Sequence, residues 1–258
     1  MNVFAYDNTF EGLLTLVFES YQRKHFPDEI LSGEGSQPVL FASTNTIETD
    51  ERKAERVWNG IVKHSSEENA HRIYRVFLAD MPDTPMLVLK YIRLIIDSNK
   101  NEETNFSEPV VVEFNKLHQK VCKEAHRING FVRFQKTVEG SYYASFAPIY
   151  DVLPLCIPHF RDRFADQQWI IYDLKRNYGF WYDLKNVSRV VFDDLKVNPQ
   201  NGQLHSSLLA DDEKLFQQLW RQYYHSICIQ ERKNDKVHRQ LLPQRFWKYL
   251  PEKGFLSL

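Results

Sequence analysis

Residues 123–146 read KEAHRINGFVRFQKTVEGSYYASF, and the hydrophobic period changes within them. Up to this stretch Val110, Phe114, Leu117, Val121 and Ala125 recur at intervals of four, three, four and four, the spacing of one helix face. Beyond Gly130, Phe131, Arg133 and Gln135 alternate with Val132, Phe134 and Lys136, the two-residue period of a strand. Glu139–Gly140 then marks a tight turn into a second strand. The switch predicts a helix closed by a left-handed Gly130 and followed at once by a hairpin. The chain therefore divides into a mainly helical part, 1–128, and an α+β part, 129–258, expected to form a single domain, 1–258.

Upstream, Phe10, Leu13, Leu14, Val17, Phe18 and Tyr21 keep helical spacing, with Asp7 or Thr9 as cap. Further helices are predicted over 50–64, capped by Asp50, over 66–79, capped by Ser65 or Ser66, and over 84–97. Residues 31–39, LSGEGSQPV, read as a loop. Downstream, 152–167 predicts a short helix with Pro154 or Pro158 near its start. Residues 168–183 predict a second hairpin turning near Asn177–Gly179, and 187–193 one more strand. An amphipathic helix through Leu215, Leu219, Tyr223 and Ile227 and a basic, aromatic tail complete the chain. The fold class is α+β: a helical N-terminal half, then an antiparallel sheet of two hairpins around a helix, then a C-terminal helix and tail.

Composition is that of a globular protein, with 258 residues, 43% hydrophobic and 26% charged. The net charge of -1 gives no overall field for nucleic acid or membrane, but the charge is segregated. Residues 1–51 hold nine Asp/Glu against Arg23 and Lys24. Residues 116–136 hold six Lys/Arg against Glu124 alone, and residues 220–253 eight against Glu231, Asp235 and Glu252. The three cysteines, Cys122, Cys156 and Cys228, are far apart and lack metal-ligand spacing, which argues against a disulfide framework or a zinc site. No signal peptide or membrane span is recognisable, so a cytoplasmic protein is expected.

Lys116, Lys120, Lys123 and Arg127 form a second helical stripe at intervals of four, three and four, away from the apolar one. Such a ridge of cations suits a phosphate backbone; as a bare solvated face it would repel itself. His126, Arg127 and Arg133 flank Gly130, while His159, Arg161 and Arg163 lie in IPHFRDRF, 157–164. Arginines there suit bidentate phosphate contact, although Arg161 and Arg163 also have Asp162 and Asp166 at hand. Arg176 completes the candidate anion-binding set and is equally readable, with Asp173, as a hairpin-turn residue. Asp151 with Asp173-Leu174-Lys175 matches a loose nuclease pattern, in which two carboxylates hold a divalent metal and the lysine assists the attacking water. Arg245, Trp247, Lys248 and Tyr249 combine cations with stacking faces, as single-strand binders do. The competing reading has the tail wrapping the domain with Phe246, Trp247 and Leu250 in a groove. No P-loop, dinucleotide fingerprint, nucleophile elbow or HExxH is present.

The segments YDNTFEGLLTLVFESY (6–21), TDERKAERVWNGI (49–61), KEAHRINGFVRFQ (123–135), YYASFAPIYDVLPLCIPHFRDRFADQQWIIYDLKRNYGFWYD (142–183) and RQLLPQRFWKYLPE (239–252) resemble the bacterial "probable DNA metabolism protein" family, domain of unknown function 4130. The resemblance implies a gene neighbour encoding a radical-SAM protein with helix-hairpin-helix motifs, assigned to DNA modification or repair. It supplies no catalytic residues. The expectation is a DNA-metabolism accessory protein that binds DNA, that radical-SAM partner, or both through a basic face, with no cofactor of its own. The alternatives are a metal-dependent nuclease through Asp151, Asp173 and Lys175, the one reading that calls for a divalent metal; a base-processing enzyme using His126 or His159; and a pure protein-interaction module.

Overall fold

Val3, Phe4 and Tyr6, too few for a helix, form strand β1 (Asn2–Tyr6) at the centre of a three-stranded parallel sheet in the computed structural model. The structure describes residues 2–33, 43–98, 102–193 and 196–253; most of the expected loop 31–39 lies outside them. The chain forms two compact units, Met1–Cys122 and Lys123–Leu258.

In the first unit β1 pairs in parallel with β2 (Glu29–Ser32) and β3 (Ser43–Thr46). Helix α1 (Phe10–Gln22) is the crossover from β1 to β2 that a parallel pair requires. Its cap is Thr9, whose Oγ1 accepts from the Gly12 amide at 2.9 Å. Gly12 itself leaves room for the Asp7 carboxylate, since a Cβ there would meet Asp7 Oδ1 at 2.2 Å. Helices α2 (Glu51–His64) and α3 (Glu67–Phe77) start at Asp50 and Ser66, each accepting from amides of its own first turn. Helix α4 spans Thr84–Asp97. The expected helices are therefore present. The small sheet beside them was not legible, because β2 and β3 have only four residues each, too short to display a period. The core gathers Phe4, Leu13, Leu16, Ile61, Ile73 and Ile92, with Tyr91 stacked on Phe114 at 3.6 Å. The Tyr91 hydroxyl donates to Asn69 Oδ1 at 3.0 Å.

Helix α5 (Pro109–Phe131) does not end on a left-handed glycine. Among the described residues the glycines with positive φ are Gly33, Gly140 and Gly202, and Gly130 sits inside the last turn. The physical reason is an arginine. The Val132 amide donates to Ile128 O at 3.1 Å, extending the helical pattern. Arg133 Nη1 then donates to Gly130 O at 3.2 Å and Val132 O at 3.1 Å. A side chain thus satisfies terminal carbonyls that a left-handed residue otherwise would, with its positive charge at the negative end of the helix dipole. Residues 132–134 are irregular, so Arg133 precedes the strand rather than starting it.

The second unit holds a five-stranded sheet in the order β4-β5-β6-β7-β8. Its strands are β4 (Gln135–Lys136), β5 (Tyr142–Phe146), β6 (Trp169–Asp173), β7 (Tyr178–Tyr182) and β8 (Val187–Val190). Both expected hairpins are antiparallel, turning at Gly140 (φ +81°) and Asn177 (φ +54°). They meet through a parallel pairing, Tyr142 opposite Trp169 to Phe146 opposite Asp173. The sheet is therefore mixed, a correction to the wholly antiparallel expectation. The cause is helix α6 (Leu153–Arg163), which returns the chain to the same sheet edge as a strand–helix–strand crossover. Cys156 and Phe160 of α6 are buried, with the Phe160 ring 6.3 Å from that of the buried Trp169 on β6, while Tyr172 on the other face of that strand is buried with Tyr143 and Leu204. The α+β class stands.

Helix α7 (Glu213–Ser226) and the short α8 (Asp235–Leu241) follow. The apolar stripe of α7 faces outward, with Leu215 55%, Leu219 50% and Tyr223 53% exposed. The tail, in contrast, wraps its own unit. Phe246 and Leu250 are buried, Phe246 lies 5.8 Å from the Phe131 ring, and Trp247 Nε1 donates to Leu242 O at 3.1 Å. Among the described residues no helix is long and apolar enough to cross a membrane.

Candidate nucleic-acid interface

The junction after α5 is built around Arg133. Its Nη1 closes the helix, its Nη2 donates to Glu252 Oε1 at 2.8 Å, and its guanidinium lies 5.2 Å from the Trp220 ring centre. Trp220 Nε1 donates to the other Glu252 oxygen at 2.9 Å. Glu124, the lone acid of its basic stretch, is buried in the same way; it accepts from the Ile149 amide at 3.1 Å and pairs with Arg245. Arg127 Nη2 donates to Gln240 O at 3.2 Å. The arginines at both ends of HRINGFVRF thus fasten the C-terminal segment.

The hairpin turn after β6 consumes a second group. Asp173 is fully buried; its Oδ1 accepts from the amides of Lys175 at 2.8 Å and Arg176 at 3.2 Å, and its Oδ2 from Arg176 Nη1 at 3.0 Å. Burial pushes its carboxyl above the ordinary range, against the pull of Arg176 and the two amides. Lys175 Nζ donates to Ile149 O at 2.9 Å and Arg176 Nη2 to the same oxygen at 3.1 Å. Asp151 accepts from the Tyr178 hydroxyl; burial and that carboxylate keep the phenol protonated. Among the described residues no group of three or more His, Cys, Asp or Glu is arranged to hold a metal ion. Lys175 and Arg176 brace the loop 148–151, Asp173 holds Arg176 in place, and Asp151, within that loop, is held by Tyr178.

The other candidate cations behave differently. In the second unit Lys123 and His126 of α5 are exposed, as are His159, Arg161 and Arg163 of α6. The two helices touch where Cys156 Sγ donates to Ala125 O at 3.7 Å. Arg161 makes a surface pair with Asp162 at 3.3 Å, of small energetic weight. Among the described residues Lys123, His126, His159 and Arg163 have no carboxylate within salt-bridge distance. On the part of α5 in the first unit, Lys116 and Lys120 are likewise exposed and, among the described residues, unpaired. In the tail Arg245 is committed to Glu124, Lys248 lies over the Tyr249 ring at 4.9 Å, and Lys253 over Trp247 at 5.5 Å.

The structure thus splits the sequence-derived set. Lys116, Lys120, Lys123, His126, His159, Arg161 and Arg163 face solvent, whereas Arg127, Arg133 and Arg176 hold the fold together. The buried carboxylates Glu124 and Glu252 were not singled out by the sequence reading. Their signal was their isolation: each is a rare acid in a basic block.

A family model described as "Domain of unknown function (DUF4130)" matches residues 82–252, from just before α4 through the tail. No curated protein matches the chain. The match covers the α5 stripe, both hairpins, α6 and the wrapped tail, and by it the chain belongs to the DUF4130 family.

Proposed function

We propose that this chain binds nucleic acid by phosphate contact and serves as an accessory protein in DNA metabolism, together with the radical-SAM partner that its family resemblance implies. The contacts are made by Lys123 and His126 of α5 and by His159, Arg161 and Arg163 of α6; Lys116 and Lys120 extend the cationic face of α5. One contrast carries this reading. Arg133, Arg176 and Arg245 each have a buried carboxylate partner, while the exposed lysines of α5 and Arg163 have none among the described residues. Lysine and arginine side chains left unpaired on a helix are suited to neutralising phosphates without reading sequence. The nuclease reading would require Asp173 to release Arg176 and two amides before it could take a metal.

The test is binding of duplex and single-stranded DNA of mixed sequence at low salt. Binding with little sequence preference is expected. Absence of binding to either form at low ionic strength removes the proposal, and Mg²⁺-stimulated cleavage lost in Asp173→Ala would replace it with the nuclease reading.

A further inference from the structure

A second cation-lined feature of the second unit has no lining residue from α5 or α6. A cleft of about 880 Å³ opens between the loop 196–207 and α7. Lys196, His205, Lys214 and Arg221 line it, and among the described residues its lining contains no Asp or Glu. Its loop wall is fixed from below. Gln135 donates Nε2 to Gly202 O at 3.2 Å and accepts the Leu204 amide at 3.1 Å, and Ser145 Oγ donates to the same carbonyl at 3.0 Å. Gly202 has φ +71°, and a Cβ there would lie 2.6 Å from Ser145 Oγ; the wall therefore depends on a glycine at this one position. On the other side Glu213 orients Gln217, accepting its Nε2 at 2.9 Å.

Gln135, Gln203 and Gln217 line both this cleft and a small inner chamber of about 30 Å³. Arg133 and Tyr249 also line the chamber, and each carries a buried polar atom, Arg133 Nε and Tyr249 Oη, with no hydrogen-bond partner among the described residues. A buried donor without a partner is costly, and here two of them belong to residues that line the same chamber.

We infer that the cleft binds a nucleotide-sized phosphate ester. Its volume falls in the range of small-molecule sites, roughly 300–1,000 Å³. Lys196, Lys214 and Arg221 supply charge for the phosphate. The exposed Gln203 amide and the Oε1 of Gln217, neither of them used in fixing the walls, offer a donor and acceptors to a base edge. The chamber has room for a water, an acceptor for the residues with unpaired donors that line it. Two sources share this chemistry, a free nucleoside monophosphate and the phosphorylated end of a strand. The inference stands apart from the α5 and α6 contacts.

Calorimetric titration of the full chain with each deoxynucleoside 5′-monophosphate, with the matching nucleosides, and with a short oligonucleotide carrying or lacking a 5′-phosphate tests it. The phosphate-bearing probes are expected to bind at least about tenfold more tightly than their phosphate-free counterparts. Lys196→Ala with Lys214→Ala is expected to weaken them about tenfold or more without changing the thermal midpoint, since both lysines are exposed. Binding of monophosphates alone assigns the site to a free nucleotide; binding of the 5′-phosphorylated strand alone assigns it to a strand end. Equal binding of phosphorylated and unphosphorylated probes, no binding of either, or wild-type affinity in the double variant overturns the site. Lys123→Ala with Arg163→Ala is expected to leave binding of the free monophosphates intact while weakening that of the oligonucleotides, which separates failure of this site from failure of the DNA-backbone contacts.

Discussion

Arg133 and Glu252, 119 residues apart in sequence, form an ion pair of 2.8 Å. The Glu252 side chain is only 2% exposed, and its second oxygen takes the Trp220 indole. Removing the arginine leaves a buried carboxylate without its countercharge and strips the end of α5 of its closing donors. Arg133→Ala is expected to cost about 3 kcal/mol, read as a fall in the urea midpoint with unchanged slope. Arg133→Ala with Glu252→Ala should cost less than the sum of the single losses. Strict additivity in the cycle would show that the pair does not join the tail to the helix.

Asp173 is expected to be a stability residue. Its replacement by Ala leaves the Arg176 guanidinium without its carboxylate and the Lys175 and Arg176 amides of the turn without their hydrogen-bond acceptor. A loss of about 2–3 kcal/mol in denaturant unfolding is expected, with DNA affinity per folded molecule unchanged. A stable Asp173→Ala protein that had lost DNA binding would place Asp173 in the interface instead.

His118 gives the first unit a pH signature. Its ring, with Nε2 3.4 Å from Cys122 Sγ, has its pKa lowered from 6.5 to about 4, first by burial and then by Arg72 and Arg75. The unfolded chain takes up the proton near 6.5 and the folded one near 4. The contribution to stability is therefore complete above 6.5 and is lost as pH falls toward 4. The slope is at most about 1.4 kcal/mol per pH unit, and less because the ring is partly solvated. His118→Gln, which cannot titrate, should flatten stability across this window. An unchanged profile would mean that the ring titrates alike in both states.

The α7 stripe and the tail make opposite demands on apolar residues. Leu215→Lys and Leu219→Lys, at positions half exposed, are each expected to change stability by less than about 0.5 kcal/mol. Leu250→Ala, at a position 1% exposed, should cost about 2–5 kcal/mol. Thermal unfolding of the three variants checks the contrast. A large loss from either lysine variant would show that the stripe is covered in solution.

Periodicity made most of this fold legible. The helices at 10–22, 51–64, 67–77 and 84–97 and both hairpins follow from spacing, caps and turn residues visible in the chain. Three things were hidden. Strands β2 and β3 are too short to show alternation. The parallel meeting of β5 and β6 depends on α6 lying between them, a tertiary fact that no local pattern encodes. The end of α5 looks like a glycine cap but is closed by the side chain of Arg133, because hydrogen-bond accounting can be settled by residues outside the cap itself. The candidate interface was half legible for a related reason. Sequence shows where cations cluster, but whether a cation is spent on a buried carboxylate depends on Glu124, Asp173 and Glu252, which pair with Arg245, Arg176 and Arg133. The cleft at Lys196, His205, Lys214 and Arg221 combines positions up to 25 residues apart that no motif unites.

The salt dependence of DNA binding tests the central claim most directly. Log affinity against log salt for the wild-type chain should fall linearly and steeply, as released counterions demand. For Lys123→Ala with Arg163→Ala the line should be shallower by about 1.8, roughly 0.9 for each phosphate contact removed on duplex DNA, with unfolding unchanged. A slope identical to wild type, or a salt-independent affinity, would contradict phosphate binding by these helices.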